Sequence, residues 1–137
     1  MALLLVLTNT NSFSAEAFTV DGIIQTIDEY AYSQNTKNAT LAASLFAENG
    51  NATIPAGEFG TTVVGRGNIL KLYEGVFGQF GPVRLTAVSP TIVNGFTAAV
   101  FKALSTTVGK CLVQVEVAGW FTFTGTRYGD LPYISSF

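Results

Sequence analysis

Apolar residues recur at helical spacing in the first half of the chain and at strand spacing in the second. After Asp21, the residues Ile23, Ile24, Ile27, Tyr30 and Ala31 fall on one face of a helix. Asp21 is read as its N-cap, and the helix is expected to end near Lys37. Asn38 is a second cap, ahead of a shorter helix with Leu41, Leu45 and Phe46 as its buried stripe and Gly50 just past its end. Asn51 to Pro55 reads as a short strand, Ala56 to Gly60 as a loop, and Thr61 to Val64 as another brief extended piece. Gly65-Arg66-Gly67-Asn68 then opens a third helix that carries Ile69, Leu70, Leu72, Tyr73, Val76 and Phe77. Gly75 and Gly78 weaken that helix, each by about 1 kcal/mol relative to Ala.

From Pro82 onward the period is extended. Segments 82–92, 96–105, 110–124 and 131–137 are rich in Val, Phe, Thr and Ile, and Asn94-Gly95, Gly109 and Gly125 punctuate them. Asn94-Gly95 signals a hairpin, since a type I′ turn needs positive φ at both central positions. In segment 110–124 the odd positions from Cys111 to Phe123 are apolar, whereas the even positions Leu112, Gln114, Glu116, Ala118, Trp120 and Thr122 are mixed. The odd residues are therefore expected to face the helices. With Gly109 at the hairpin centre, Lys102 falls opposite Glu116 as a cross-strand charge pair. Three helices followed by an antiparallel meander give an α+β class, with the helices gathered on one face of a curved sheet.

A chain of 137 residues fits one domain. Hydrophobic residues at 48% against charged residues at 12% exclude intrinsic disorder. A net charge of −2 gives nucleic acid no electrostatic footprint. One cysteine excludes an internal disulfide and a cysteine-built zinc site. The absence of histidine removes every Ser-His, Cys-His and His-metal arrangement, so neither a metal nor a cofactor is expected. The apolar run Ala2 to Leu7 is far short of the roughly 18 residues a membrane helix needs, so no membrane span is expected. That run, followed by Ala15-Glu16-Ala17, has the outline of a short signal segment, although no Lys or Arg precedes it. Residues 1–20 are read as an N-terminal arm or such a segment, and 21–137 as the domain. A cytoplasmic location is favoured and secretion stays open. Asn38-Ala39-Thr40 and Asn51-Ala52-Thr53 are N-glycosylation sequons, a number close to chance for this content of Asn, Ser and Thr.

The ordered landmarks are a Tyr-bearing first helix, Leu45-Phe46-Ala47-Glu48, the strand to Pro55, Gly65-Arg66 with Ile69 opening the third helix, and then long strands. Over roughly residues 22–137 this set resembles the nuclear transport factor 2-like superfamily in its SnoaL-like branch. Lys37-Asn38 stands where that family usually has Gly-Asp, and Asn caps as well as Asp. The resemblance implies a cone-shaped fold: three N-terminal helices packed on a strongly curved, mostly antiparallel sheet that encloses an apolar pocket. A small molecule would sit in such a pocket.

The resemblance also implies where catalytic groups would stand. Against ketosteroid isomerase, Tyr30 matches the tyrosine that donates to the substrate oxygen, but the base falls on Ile54 and the protonated acid on Gly119. Scytalone dehydratase and SnoaL-like cyclases use histidine, which is absent. Limonene epoxide hydrolase uses an Asp-Arg-Asp set inside its pocket, and the aspartates here are Asp21, Asp28 and Asp130, none on a pocket-lining strand. Weaker candidates are Glu58 in the loop at the pocket mouth and Glu116, which the alternation puts on the outer face. Cys111 reads as a small core hydrophobe, Arg66 as a surface residue, and Tyr30 as a core ring bonded to a backbone carbonyl.

Two functions fit these residues. One is a non-catalytic domain that binds a small apolar ligand or assembles as a homodimer. The other is a SnoaL-like enzyme of cyclase, isomerase or dehydratase type, with Tyr30 and Glu58 or Glu116 as a non-standard pair. The pocket is expected to be lined by Ile27, Tyr30, Ile54, Phe77, Val117 and Phe121. The mixed sheet face, with Phe96, Val100, Leu112, Ala118 and Trp120 and only Lys102, Gln114 and Glu116 to hydrate it, is expected to pair two copies.

Overall fold

Thr19, rather than Asp21, caps the first helix, α1 (Val20–Asn35). Its extended backbone presents Oγ1 to the Gly22 amide at 3.0 Å. Thr19 takes the role because the same hydroxyl donates to Asp130 Oδ2 at 2.6 Å, a long-range tie that local pattern does not reveal. Asp21 sits in the first turn, where its charge suits the positive end of the helix dipole. The structure is a computed structural model. It describes residues 18–54, 61–79, 84–94 and 97–137, and within the strands it leaves the side chains of 54, 85–89, 94, 99–104, 106, 108 and 115–118 undescribed.

Ile23, Ile27 and Tyr30 of α1 are buried, as their spacing predicts, while Ile24 lies at the edge of the stripe. Lys37 closes the helix with φ +53, and the Asn38 and Lys37 amides donate back to Ser33 and Gln34. That crossed pair of bonds is a Schellman motif. Asn38 then caps α2 (Ala39–Ser44) by accepting from the Leu41 amide at 3.0 Å.

The second helix is shorter than its apolar spacing suggests. Phe46 is fully buried as the first residue of a strand, β1 (Phe46–Ile54), and Gly50 lies inside that strand. The reason is remote: β1 runs parallel to β6 (Leu131–Ser136), pairing Phe46 with Ile134, and the Ile134 amide donates to Leu45 O at 2.7 Å. The remaining elements are β2 (Thr61–Val64), α3 (Arg66–Gln79), β3 (Arg84–Asn94), β4 (Thr97–Val108) and β5 (Cys111–Tyr128).

The six strands form one sheet in the order β2-β1-β6-β5-β4-β3, antiparallel except for β1 with β6. The class is therefore α+β, with three helices and a mostly antiparallel sheet among the described residues. Helix α1 packs against β3 and β6, and α3 against α2 and β1. Ile69, Tyr73 and Phe77 of α3 meet the α1 stripe in the core, together with Phe121 and Phe123 of β5 and Ile134 of β6.

The β4–β5 register differs by one from the sequence expectation. Val108 pairs with Cys111 across a two-residue turn, so Lys102 stands opposite Val117, and Glu116 opposite Ala103. Gly109, the first residue of that turn, has φ +62, as a type II′ connection requires. Asn94 likewise pairs with Thr97 and ends β3, instead of occupying the centre of a turn.

The alternation of β5 holds where helices cover it: Phe121 and Phe123 are buried, whereas Trp120, on the opposite face, is 60% exposed. It fails at the hairpin end, where residues 109–114 are all exposed. Cys111 is therefore an exposed thiol and not a core residue.

Candidate functional site

The interior between α1, α3 and the sheet is built from rings. The Tyr30 ring meets Phe121 edge-on at 5.3 Å between centroids, and meets Phe137 at the same separation. Phe121 stacks on Phe137 at 4.5 Å, and Tyr73 packs on Phe77 at 5.6 Å. Such contacts add to plain area burial because ring edges and faces carry opposite partial charge.

At the centre of this cluster, the hydroxyls of Tyr30 and Tyr73 lie 2.7 Å apart. Tyr30 is thus bonded to a second phenol, where the sequence reading had a backbone carbonyl. Burial pushes both phenols well above the ordinary tyrosine range, and at Tyr73 the neighbouring Tyr30 adds to the shift. Both rings are accordingly neutral over the physiological range. Neutral phenols held this way cannot act as a base near neutral pH.

Tyr73 was legible only as part of a core stripe. Its signal was the need of any buried phenol for a polar partner, with two such phenols on helix faces that converge.

The sequence-predicted residues fall into three groups. Ile27, Tyr30, Phe77 and Phe121 are brought together in the aromatic core, with exposures from 1% to 7%. For Ile54, Val117, Glu116 and Val100 the structure describes backbone alone, and Glu58 and Phe96 lie outside the described residues. Leu112 and Trp120 are strongly exposed, at 64% and 60%.

Arg66 is not a plain surface residue. Its Nε and Nη2 both donate to Phe46 O, at 3.0 and 2.9 Å, and its guanidinium lies over the Tyr133 ring at 5.4 Å. It fastens the start of α3 to the start of β1. Arg66, with Ser44, Glu48, Asn68 and Lys71, also borders an open groove of about 660 Å³ between α2 and α3. That groove shares no residue with the aromatic cluster. On the other flank, Arg127 Nη2 pairs with Glu29 Oε2 at 2.6 Å and donates to Thr26 Oγ1 at 3.1 Å, tying α1 to β5.

Part of the sheet face turned away from the helices carries a row of polar residues. Register aligns Val64, Asn51, Ser136, Thr122, Thr97 and Asn94 in one row across all six strands. The Thr122 hydroxyl bonds both Ser135 and Ser136, and Thr53 bonds Thr62 at 2.9 Å. Exposed Trp120 stands two residues from Thr122 along β5.

No protein-family model matches the chain, and no curated protein does. Solved structures do. A protein of ketosteroid isomerase-like fold from Catenulispora acidiphila, solved with trimethylamine, superposes with a TM-score of 0.67 at 18% identity, over 81% of this chain and 80% of that one. A nuclear transport factor 2-like protein from Anabaena variabilis gives 0.68 at 18% identity, over 86% and 84%. The epoxide hydrolase/cyclase-like enzyme SalBIII, which takes part in pyran ring formation in the polyether salinomycin, gives 0.65 at 18% identity, over 82% and 84%. The chain has the nuclear transport factor 2-like, ketosteroid isomerase-like fold. No helix among the described residues is long and apolar enough to cross a membrane.

Proposed function

We propose that the residues from Phe18 onward, whose core includes the buried Phe18 itself, form a non-catalytic binding and assembly domain of SnoaL-like type, with the preceding residues as an N-terminal arm or short signal segment. In this reading the sheet bends into a cone around α1. Its interior, lined by Ile27, Tyr30, Ile54, Phe77, Val117 and Phe121, takes a small apolar molecule. The open sheet face pairs two copies.

One observation carries the reading. Among the described residues, the buried polar side chains besides the tyrosines are Thr26, Ser33 and Gln34, and none is a carboxylate. A neutral tyrosine pair with no carboxylate buried among the described residues suits holding a ligand better than moving its protons. The trimethylamine bound by the Catenulispora neighbour supports occupancy of this fold by a small molecule. The SalBIII neighbour keeps the enzyme reading in view, with Glu58 or Glu116 as its carboxylate.

Mass spectrometry of the organic extract of the purified protein, paired with an isomerisation assay on a 3-ketosteroid, separates the two. A stoichiometric apolar compound without turnover supports the binding domain. Turnover that is lost in Glu58→Gln or Glu116→Gln overturns it.

A further inference from the structure

The two Asn-x-Thr sequons stand in unlike surroundings. Asn38-Ala39-Thr40 spans the link between α1 and α2, with Asn38 and Thr40 both exposed. Asn38 has φ −97° and ψ 88°, outside either helix, and its Oδ1 accepts from the Leu41 amide at 3.0 Å. Its Nδ2 is committed to no described residue. Asn51-Ala52-Thr53 instead lies inside β1, paired on one side with β2 and on the other with β6. There Ala52 is fully buried, the Thr53 amide donates to Phe137 O at 2.8 Å, and the Thr53 hydroxyl is bonded to Thr62.

An oligosaccharide transferase must draw all three residues of a sequon into its own groove. For 38–40 this frays the first turn of a helix only six residues long, the cheapest kind of local opening. For 51–53 it breaks strand pairing on both sides and pulls a buried alanine from the core.

We propose that Asn38 is the acceptor site for an N-linked glycan on the folded protein, and that Asn51 is closed to it. The donor is a lipid-pyrophosphate-linked oligosaccharide. Asn38 Nδ2 attacks the anomeric carbon of the first sugar. The C–N bond forms as the C–O bond to pyrophosphate breaks, the lipid pyrophosphate leaves with the bonding pair, and the amide proton passes to a base of the transferase. Oδ1 takes no part in the bond change. The cap on Leu41 therefore survives with the glycan in place, and the sugar projects from the helix link, away from the aromatic interior.

The test incubates the folded full-length chain with an oligosaccharyltransferase and its lipid-linked donor, beside two synthetic peptides that each span one sequon. The folded chain is expected to gain the mass of one glycan while both peptides are modified. Asn51→Gln keeps the gain and Asn38→Gln loses it. Thr40→Ala, which leaves the Asn38 cap untouched, loses it as well. Modification of the folded chain at Asn51, a gain that survives Thr40→Ala, or an unmodified chain beside modified peptides overturns the proposal. So does a result in which the 51–53 peptide is itself refused, because the fold is then not what selects.

Discussion

The hydroxyls of Tyr30 and Tyr73 meet 2.7 Å apart in the interior, joining the middle of α1 to the middle of α3 across 43 residues of sequence. The bond gives each of two buried phenols a polar partner. Each supplies what the other needs, and burial keeps both protonated.

That coupling gives an alkaline signature. The folded chain holds both phenolic protons above the ordinary value of about 10, at which an unfolded tyrosine releases its own. Stability from the pair is thus full below about pH 10 and falls as pH rises from there toward the folded values. Urea midpoints at pH 8 and pH 11 check this: the wild type should drop further between them than Tyr30→Phe/Tyr73→Phe. At pH 8 each single Phe variant should lose about 1 kcal/mol, and the double variant less than the sum.

Gly22 and Gly75 are both helical glycines with opposite prospects. A Cβ at Gly22 would stand 2.1 Å from the Asp130 carbonyl oxygen, which is backbone and cannot swing aside, whereas one at Gly75 meets nothing within 4 Å. Gly75→Ala should stabilise by up to about 1 kcal/mol through helix propensity. Gly22→Ala gains the same propensity yet should lose about 2 kcal/mol net, because α1 must lift from the β5–β6 turn. Thermal melts of the two variants under one buffer decide it. A Gly22→Ala protein as stable as the parent would show that the close approach does not exist.

Helix periodicity exposed Ile23, Ile27, Ile69 and Phe77 as core, because 3.6-residue spacing reports burial on one face whatever the partner. Hairpin ends were legible to within a residue, and that one residue mattered. A turn on Gly109-Lys110, in place of one centred on Gly109, moves Lys102 from Glu116 to Val117. What stayed hidden was remote: the parallel pairing of Phe46 with Ile134 that turns a helix stripe into a strand, and the Asp130 turn that makes Thr19 the cap. The site was half legible for the same reason. Tyr30 stood out on its helix, but its partner lay on another.

Arg66 tests whether a bidentate contact matters at the join of α3 and β1. Two of its N–H groups converge on Phe46 O while its plane covers Tyr133. Lysine keeps the charge but offers a single point donor with no flat face to stack. Arg66→Lys should therefore cost about 1 kcal/mol in urea unfolding, and Arg66→Ala somewhat more. Equal stability of Arg66→Lys and wild type would make the contact incidental.

The open sheet face yields the last prediction, that of pairing between two copies. Trp120 is the protein's one tryptophan, and 60% of it is exposed on a sheet face that no helix among the described residues covers. Two residues along β5 from it, the half-buried Thr122 is flanked across the strands by the half-buried Thr97 and Ser136, so a row of hydroxyls borders one side of a large indole. An indole with a hydroxyl rim is the makeup of an interface centre, where a buried aromatic supplies most of the energy and polar groups at the edge fix register. The chain's low charge, 12%, leaves little to repel a second copy. Sedimentation at micromolar concentration should show a dimer, and Trp120→Glu, which would bury a charge at the centre of the interface, should give a folded monomer. Because no other indole contributes, emission reports on the same event: it should shift to shorter wavelength as the protein is concentrated through its dissociation range. A chain that sediments as a monomer at every concentration, with emission fixed at the position of a solvated indole, would show that this face meets water alone.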